Sequence, residues 1–558
     1  MIRELDVDGV PALVAPTTGP MHAGLMFRVG QADETLARRG VTHLLEHLVL
    51  HPLGVADYHY NGTTGTSVTH FHMQGSAADI VTFLGGVCAA LRQPAGTRLE
   101  TEKAILRTEW SGRSNPAVAA MPLWRHGARD YGLVSYPEWG IEAVRLEDLH
   151  EWSARYFTRE NAVLWLAGED LPPGLALDLP AGRRHPAPTA SSALPRTPAF
   201  FRGGSQATGF QAVVPRQTAA TVLTGVLERK LFRALRQEGG LSYTAAADYE
   251  PRGDGFAVLT ALADALPEKQ DAVLGGFVDV LAELRVGRID DAEVSAVVSK
   301  ATEALGTAEA DAARLPVAAF NLLTGYPVDS SDALVWKLKA VTVEQVHGVA
   351  RAALDSALLM IPAGRTADWA GFVAAPIASD EVVSGTAYRG LGDPTEQLVI
   401  GAEGVSLVSG GGPAATVRFD RCAVMLDWPD GGRLLIGDDG ISVRVEPTLY
   451  RGADDVRVDS RVPAGSRVSL PAREPDEIPR PAPPGRAGAS RRSRRPTRRH
   501  VRIGVLGLIT LGMGALALVV SIGIVIGEVD ASPLGAIGGW MIAGYLGRGL
   551  WKAWHGNE

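Results

Sequence analysis

Apolar and polar positions divide the chain into blocks of different period. Residues 3–16 and 21–29 are short apolar runs broken by Asp8-Gly9 and by Thr17-Thr18-Gly19-Pro20, the pattern of strands joined by turns. Gly40 to Gly54 encloses a leucine-rich run at helical spacing. Residues 58–74 alternate and predict a strand ending in Thr69-His70-Phe71-His72-Met73-Gln74-Gly75. Residues 76–93 predict an amphipathic helix stopped by Pro94, and residues 98–110 a further helix. A loop, a helix and a closing strand complete a first unit, residues 1–175. Residues 176–200, rich in Pro, Ala and Arg, predict a linker. Residues 201–370 repeat the helix and strand pattern. Residues 383–470 change to short strands divided by Gly-Gly-Gly-Pro, Pro-Asp-Gly-Gly and Asp-Asp-Gly turns, a small β domain that reads as a pleckstrin-homology-like barrel.

The first helix carries the chemistry. His43 and His47 stand at i and i+4 and share a face, so two imidazoles can hold one metal ion. Glu46 lies one residue before the second histidine, where a carboxylate can take a proton from the water that such a metal activates. This is H-x-x-E-H, the reverse of the commoner H-E-x-x-H. A third ligand must come from elsewhere. Glu102 and Glu109 lie seven apart on the helix over 98–110, two turns and one face, with Ile105 and Leu106. Glu109 can complete a His-His-Glu site, and Glu102 can orient a ligand from behind. The bland alternatives are a polar edge on a core helix and a solvated glutamate face.

These residues resemble the pitrilysin, insulysin and mitochondrial processing peptidase group of zinc peptidases. The resemblance covers the block from Gly40 to Gly54, the Asn-led stretch Asn61-Gly62-Thr63-Thr64, and the two glutamates seven apart. The interval from His47 to Glu109 is shorter than in most relatives, as if a loop around residues 51–60 were trimmed; Glu102 or Glu100 stands as the other candidate third ligand. The resemblance implies an α+β chain of two similar peptidase-like α/β sandwich domains, the second without metal. It implies one zinc ion per chain on His43, His47 and Glu109. It implies an edge strand at Asn61, Thr63 and Thr64 that takes an extended peptide. It also implies that Arg236 and Tyr243, seven apart in the second unit, reach the substrate carbonyl. In relatives of this size two chains or two halves enclose the substrate, so a homodimer or a second peptidase-like subunit is implied. His70 and His72 read as exposed or structural.

Composition adds location. Of 558 residues 46% are hydrophobic, ample for several cores. The net charge of −8 is uneven: residues 480–502 hold nine arginines and no acid, which leaves the rest near −17 (−8 less those nine charges). An acidic body argues against nucleic-acid binding. Cys88 and Cys422 sit among apolar residues in different units, the setting of buried free thiols. The first residues show no basic start followed by an apolar run and so no signal peptide. The Pro- and Arg-rich stretch 471–502 predicts disorder. Residues 503–527 carry no charge over 25 positions, enough for a membrane-spanning helix of ~20 residues. A second apolar segment over 533–550 would span as the return arm of a hairpin or lie in the interface. Basic residues outside both place the peptidase domains on the cytoplasmic side, with the arginine run against anionic lipid. The expected function is a membrane-tethered zinc endopeptidase acting on peptides or unfolded segments. The alternative is a non-catalytic membrane scaffold or adaptor that uses a peptidase-like fold to bind a partner.

Overall fold

The computed structural model describes residues 1–54, 59–112, 116–204, 206–367, 371–410, 412–453 and 458–481. The first unit holds β1 (Arg3–Val7), β2 (Val10–Ala15), β3 (Met21–Phe27), α1 (Val41–Leu50), β4 (Tyr60–Thr64), β5 (Thr69–Gly75), α2 (Ala77–Arg92), α3 (Leu99–Gly112), α4 (Pro116–His126), α5 (Leu146–Tyr156) and β6 (Ala162–Ala167). Its sheet runs β1-β2-β6-β3-β5-β4, with only β2 and β6 parallel. The alternation over 58–74 is therefore two strands, not one. Gly65 to Val68 reverse the chain, Gly65 N donating to Val68 O at 2.9 Å, and β4 pairs back on β5. The period reads through the turn because both strands keep the same faces. One face packs α1, α2 and α5 around Leu44, Leu45, Phe71, Val87 and Leu164.

The second unit holds β7 (Ala199–Arg202), β8 (Thr208–Pro215), α6 (Thr218–Leu231), a π-helical turn (Phe232–Glu238), β9 (Ala245–Pro251), β10 (Phe256–Ala263), α7 (Gln270–Arg285), α8 (Asp291–Leu305), α9 (Ala310–Ala313), α10 (Leu315–Leu323), α11 (Ser331–Lys339), α12 (Val343–Asp355), β11 (Leu358–Ile361) and β12 (Val373–Ala374). Its sheet runs β12-β7-β11-β8-β10-β9. The five strands β7-β11-β8-β10-β9 repeat the order and the senses of β2-β6-β3-β5-β4. Each sheet's remaining face is covered by the other unit. Leu315, Ala319 and Leu323 of α10 pack on Leu13, Met26 and Trp165 of the first sheet. Met121 of α4 packs among Phe201, Leu358 and Met360 of the second. Arg125, buried on α4, donates to Gln211 O at 2.7 Å, Gln211 Oε1 at 2.8 Å and Ser356 O at 3.0 Å. Residues 176–200 have no regular structure before β7, but Leu177, Leu179 and Leu194 are buried, so this linker is a strap packed on both units.

The β domain holds β13 (Gly385–Arg389), β14 (Gln397–Gly401), β15 (Gly404–Val408), β16 (Ala415–Arg418), β17 (Cys422–Asp427), β18 (Arg433–Gly437), β19 (Ser442–Val445) and β20 (Arg467–Ser469). The sheets β13-β14-β15-β16 and β19-β18-β17-β20 enclose Leu398, Val405, Val417, Met425 and Leu435. The described residues 383–481 contain no α-helix, and their strands form two four-stranded sheets. The start of the stretch expected to be disordered is tied down. Arg473 lies 2.7 Å from both Asp430 and the buried Glu446, with its guanidinium 4.5 Å over Trp428. Charge and stacking there outweigh a disorder-prone composition. Cys88 and Cys422 are buried free thiols. Among the described residues no helix is long and apolar enough to cross a membrane; the apolar segments 503–527 and 533–550, like most of the arginine run, lie outside those residues.

Candidate metal centre

The motif helix starts where it does because Gly40 adopts φ 98°, a left-handed conformation open to glycine. A Cβ there would also lie 2.8 Å from the Glu138 side chain. The exposed N–H groups of the first turn need acceptors, and buried Glu34 supplies them, accepting from Gly40 N and Thr42 N at 2.9 Å each. Arg39 lies 3.2 Å from the same carboxylate.

On this helix His43 and His47 stack edge to face, 4.8 Å between ring centroids. Each Nδ1 is held by a carboxylate: His43 by Glu138 at 3.0 Å and His47 by Glu102 at 3.2 Å. Both bonds favour the tautomer with the proton on Nδ1, in which Nε2 carries the lone pair that would ligate. The two Nε2 atoms face Glu109, at 3.9 Å from His43 and 3.7 Å from His47. These separations exceed a direct hydrogen bond, yet ligand atoms of the three residues all lie within 4.8 Å of one another. Tetrahedral donors at ordinary zinc distances stand about 3.4 Å apart. The donor set, two imidazoles and a carboxylate oriented from behind, fits a zinc ion. Among the described residues it is the one group with such geometry.

Glu46 is buried on the same helix and accepts from Thr64 Oγ1 at 2.7 Å. Burial pushes its carboxyl above the ordinary range, against the pull of the two histidines and Thr64. Gly62 makes room for it, because a Cβ at 62 would sit 2.6 Å from Glu46 Oε1. β4 is an edge strand, with Asn61 and Thr63 exposed and Gly62 and Thr64 turned to Glu46. Thr64 is thereby placed on the motif carboxylate, not on the outer face with Asn61 and Thr63. Glu102 stands behind His47, and Arg98 holds its other oxygen at 3.1 Å. Glu100 pairs with Lys103 at 2.9 Å, away from the cluster.

Arg236 and Tyr243 come together on the second unit. The Arg236 guanidinium lies 5.2 Å from the Tyr243 ring centre, and Tyr243 is 72% exposed. Arg236 also lies 5.1 Å from the Phe232 ring centre, Tyr243 N donates to Asp264 Oδ1 at 2.9 Å, and neither residue belongs to the metal cluster. His70 and His72 sit on the opposite face of the first sheet with His22. His70 Nε2 accepts from Trp165 Nε1 at 2.8 Å, so these imidazoles are structural. Burial drives His22 and His72 down to about 4 and holds His70 well below the ordinary range. Glu138 and the Thr64 hydroxyl were invisible to periodicity. Glu138 lies in an irregular segment, 95 positions from the histidine that it holds.

No family model matches the chain, and no curated protein does. Solved structures match its shape. A protease from Helicobacter pylori superposes with a TM-score of 0.55 at 16% identity, covering 65% of this chain and 99% of that one. A peptidase M16 inactive domain from Pseudomonas fluorescens gives 0.54 at 15% identity, over 64% of this chain and 97% of the other. The fold is that of the M16 peptidases. The periplasmic protease PqqL from Escherichia coli gives 0.54 at 12% identity, covering 75% of this chain and 55% of PqqL. One of these structures is an inactive domain, so the fold alone does not decide catalysis. The side chains on α1 and α3 must.

Proposed function

We propose that this chain is a zinc metalloendopeptidase cutting peptides or unfolded segments. The observation that carries the reading is the His43–His47–Glu109 cluster with both Nδ1 atoms already held by carboxylates. His43, His47 and Glu109 would hold a zinc ion, which would supply Lewis acidity at the site. Glu46, beside both histidines, accepts the proton of the attacking water and passes it to the departing amine nitrogen as the C–N bond breaks. Thr64 fixes its rotamer by donating to the carboxylate.

An extended peptide would add to the open edge of β4, with main-chain hydrogen bonds there and side-chain contacts to Asn61 and Thr63. Arg236 and Tyr243 would meet the peptide from the second unit, in an exposed pair suited to a carbonyl or carboxylate. A homodimer or a second peptidase-like subunit would close the site. The membrane tether and the cytoplasmic placement rest on the sequence of residues 480–550 alone.

The deciding experiment is zinc content with peptide hydrolysis on the full chain, with and without a chelator. About one zinc per chain and chelator-sensitive cleavage restored by zinc are expected. Cleavage that survives complete removal of zinc would overturn the proposal.

A further inference from the structure

One carboxylate of the centre sits on the least regular part of the first unit. Glu138 belongs to residues 127–142, which run as short 3-10 turns (Asp130–Ser135 and Trp139–Glu142) and join no sheet. Such a segment has few backbone bonds of its own to hold a side chain in place. On its inner side stands Arg39, fully buried, whose Nε donates to Leu133 O at 3.0 Å and whose Nη1 lies 3.4 Å from Glu138. On its outer side stands the β domain. Leu133 and Tyr136 pack with Val424, Leu426, Ile436 and Val468 in one apolar cluster. The turn between β18 and β19 adds a backbone bond, Ala128 N to Asp438 O at 3.0 Å, and an ion pair, Arg129 to Asp438 at 3.2 Å. It presses on Gly127, where a Cβ would collide with the Asp438 carbonyl.

We infer that the β domain is a brace for the metal centre. It clamps residues 127–142 against Arg39 and so presents Glu138 to His43 Nδ1. Glu138 and Arg39 are positioning residues, and the β domain acts through them on the first ligand histidine. The chain of contact is continuous: β17 and β18, then Leu133 and Tyr136, then Arg39 and Glu138, then His43. The inference rests on the zinc reading above, and it goes beyond that reading by giving the β domain work at the site.

The test uses the full chain, measuring zinc affinity by competition with a chromogenic chelator, the absorption spectrum of the cobalt(II)-loaded protein, and the thermal midpoint without metal. The variants are Glu138→Gln, Leu426→Ala and both together. Glu138→Gln should weaken zinc binding by roughly ten- to a hundredfold with little change in the metal-free midpoint. Leu426→Ala, which touches no ligand, should weaken zinc several-fold and shift the cobalt bands in the same direction. The double variant should bind zinc no more weakly than Glu138→Gln alone, because both act through one hydrogen bond. Val468→Ala, a smaller excision in the same cluster, repeats the measurement should Leu426→Ala fail to fold. Unchanged affinity in Glu138→Gln overturns the role of Glu138. Weakened binding in Glu138→Gln with wild-type affinity and spectrum in the β-domain variants overturns the brace. A wild-type chain that binds no zinc overturns the metal reading and the brace together.

Discussion

The helix pairs α1–α3 and α6–α8 hold matching places in two sheets of the same strand order, and their charges are arranged in opposite ways. α1 and α6 each follow the strand at the middle of their sheet, and α3 and α8 each come two helices later. In the second unit the carboxylate on α8 is satisfied by the protein. Glu293 is buried and meets Lys230 and Arg233 at 3.3 Å each, and Lys230 also meets Glu283 at 3.2 Å. In the first unit the carboxylate on α3 meets two imidazole nitrogens at 3.7 and 3.9 Å, too far for a hydrogen bond and close enough to share a cation. The fold brings two helices together in both units. The side chains on those helices decide whether the gap closes on lysine and arginine or stays open between two imidazoles and a carboxylate.

The sharpest way to break this comparison is at Glu46. Glu46→Gln should lower peptide hydrolysis by roughly 10²–10⁴-fold while zinc content stays at the wild-type level; kcat/KM with metal analysis checks both halves. The reciprocal change is made in the second unit. Lys230→Met with Arg233→Met leaves Glu293 buried without those partners and should cost about 3 kcal/mol or more in chemical denaturation, with zinc content unchanged. Loss of zinc in that variant would mean that the second ion cluster, too, serves the metal.

Acid should separate the two sheets. Burial holds His22 and His72 down to about 4, and His70 well below the ordinary range, against about 6.5 in an unfolded chain. Between those values the unfolded chain binds more protons than the folded one, so stability present above about pH 6.5 is lost as pH falls toward 4. His22 and His72 each contribute on the order of 1–3 kcal/mol to that loss. Residues 201–263, which hold the matching strands β8 to β10, contain no histidine. Thermal midpoints across that range should fall steeply in the wild type and less in His22→Gln with His72→Gln. The smallest effect is expected from Thr64→Val. It removes a donor that favours the charged form of Glu46, so the acid limb of the rate profile should move to higher pH and kcat should fall by about tenfold.

Much of the candidate site was legible before any coordinates. H-x-x-E-H and the glutamates seven apart are statements about one helix face each, and helical period is a local property. The two similar units were legible as a repeated pattern. The interlocking of α4 and α10 was not, because an amphipathic face does not say which sheet will cover it. β4 shows where the boundary lies. Alternation separates Asn61 and Thr63 from Gly62 and Thr64, but only the packed helix shows which pair turns inward to Glu46. The β domain was legible as strands and turns, and nothing in its alternation pointed to Leu133 and Tyr136 as its partners.

The sequence by itself determined the two imidazoles and the carboxylate on one helix, the candidate third ligand on another, and the change from mixed to all-β character near residue 383. All follow from spacings of a few residues, which backbone geometry converts directly into faces. Only the tertiary structure decided that Glu138 holds His43, that Thr64 holds Glu46, and that the β domain lies against the segment carrying Glu138. Those contacts join positions up to several hundred residues apart through irregular backbone. They exist only once the burial of apolar clusters has set the blocks against one another.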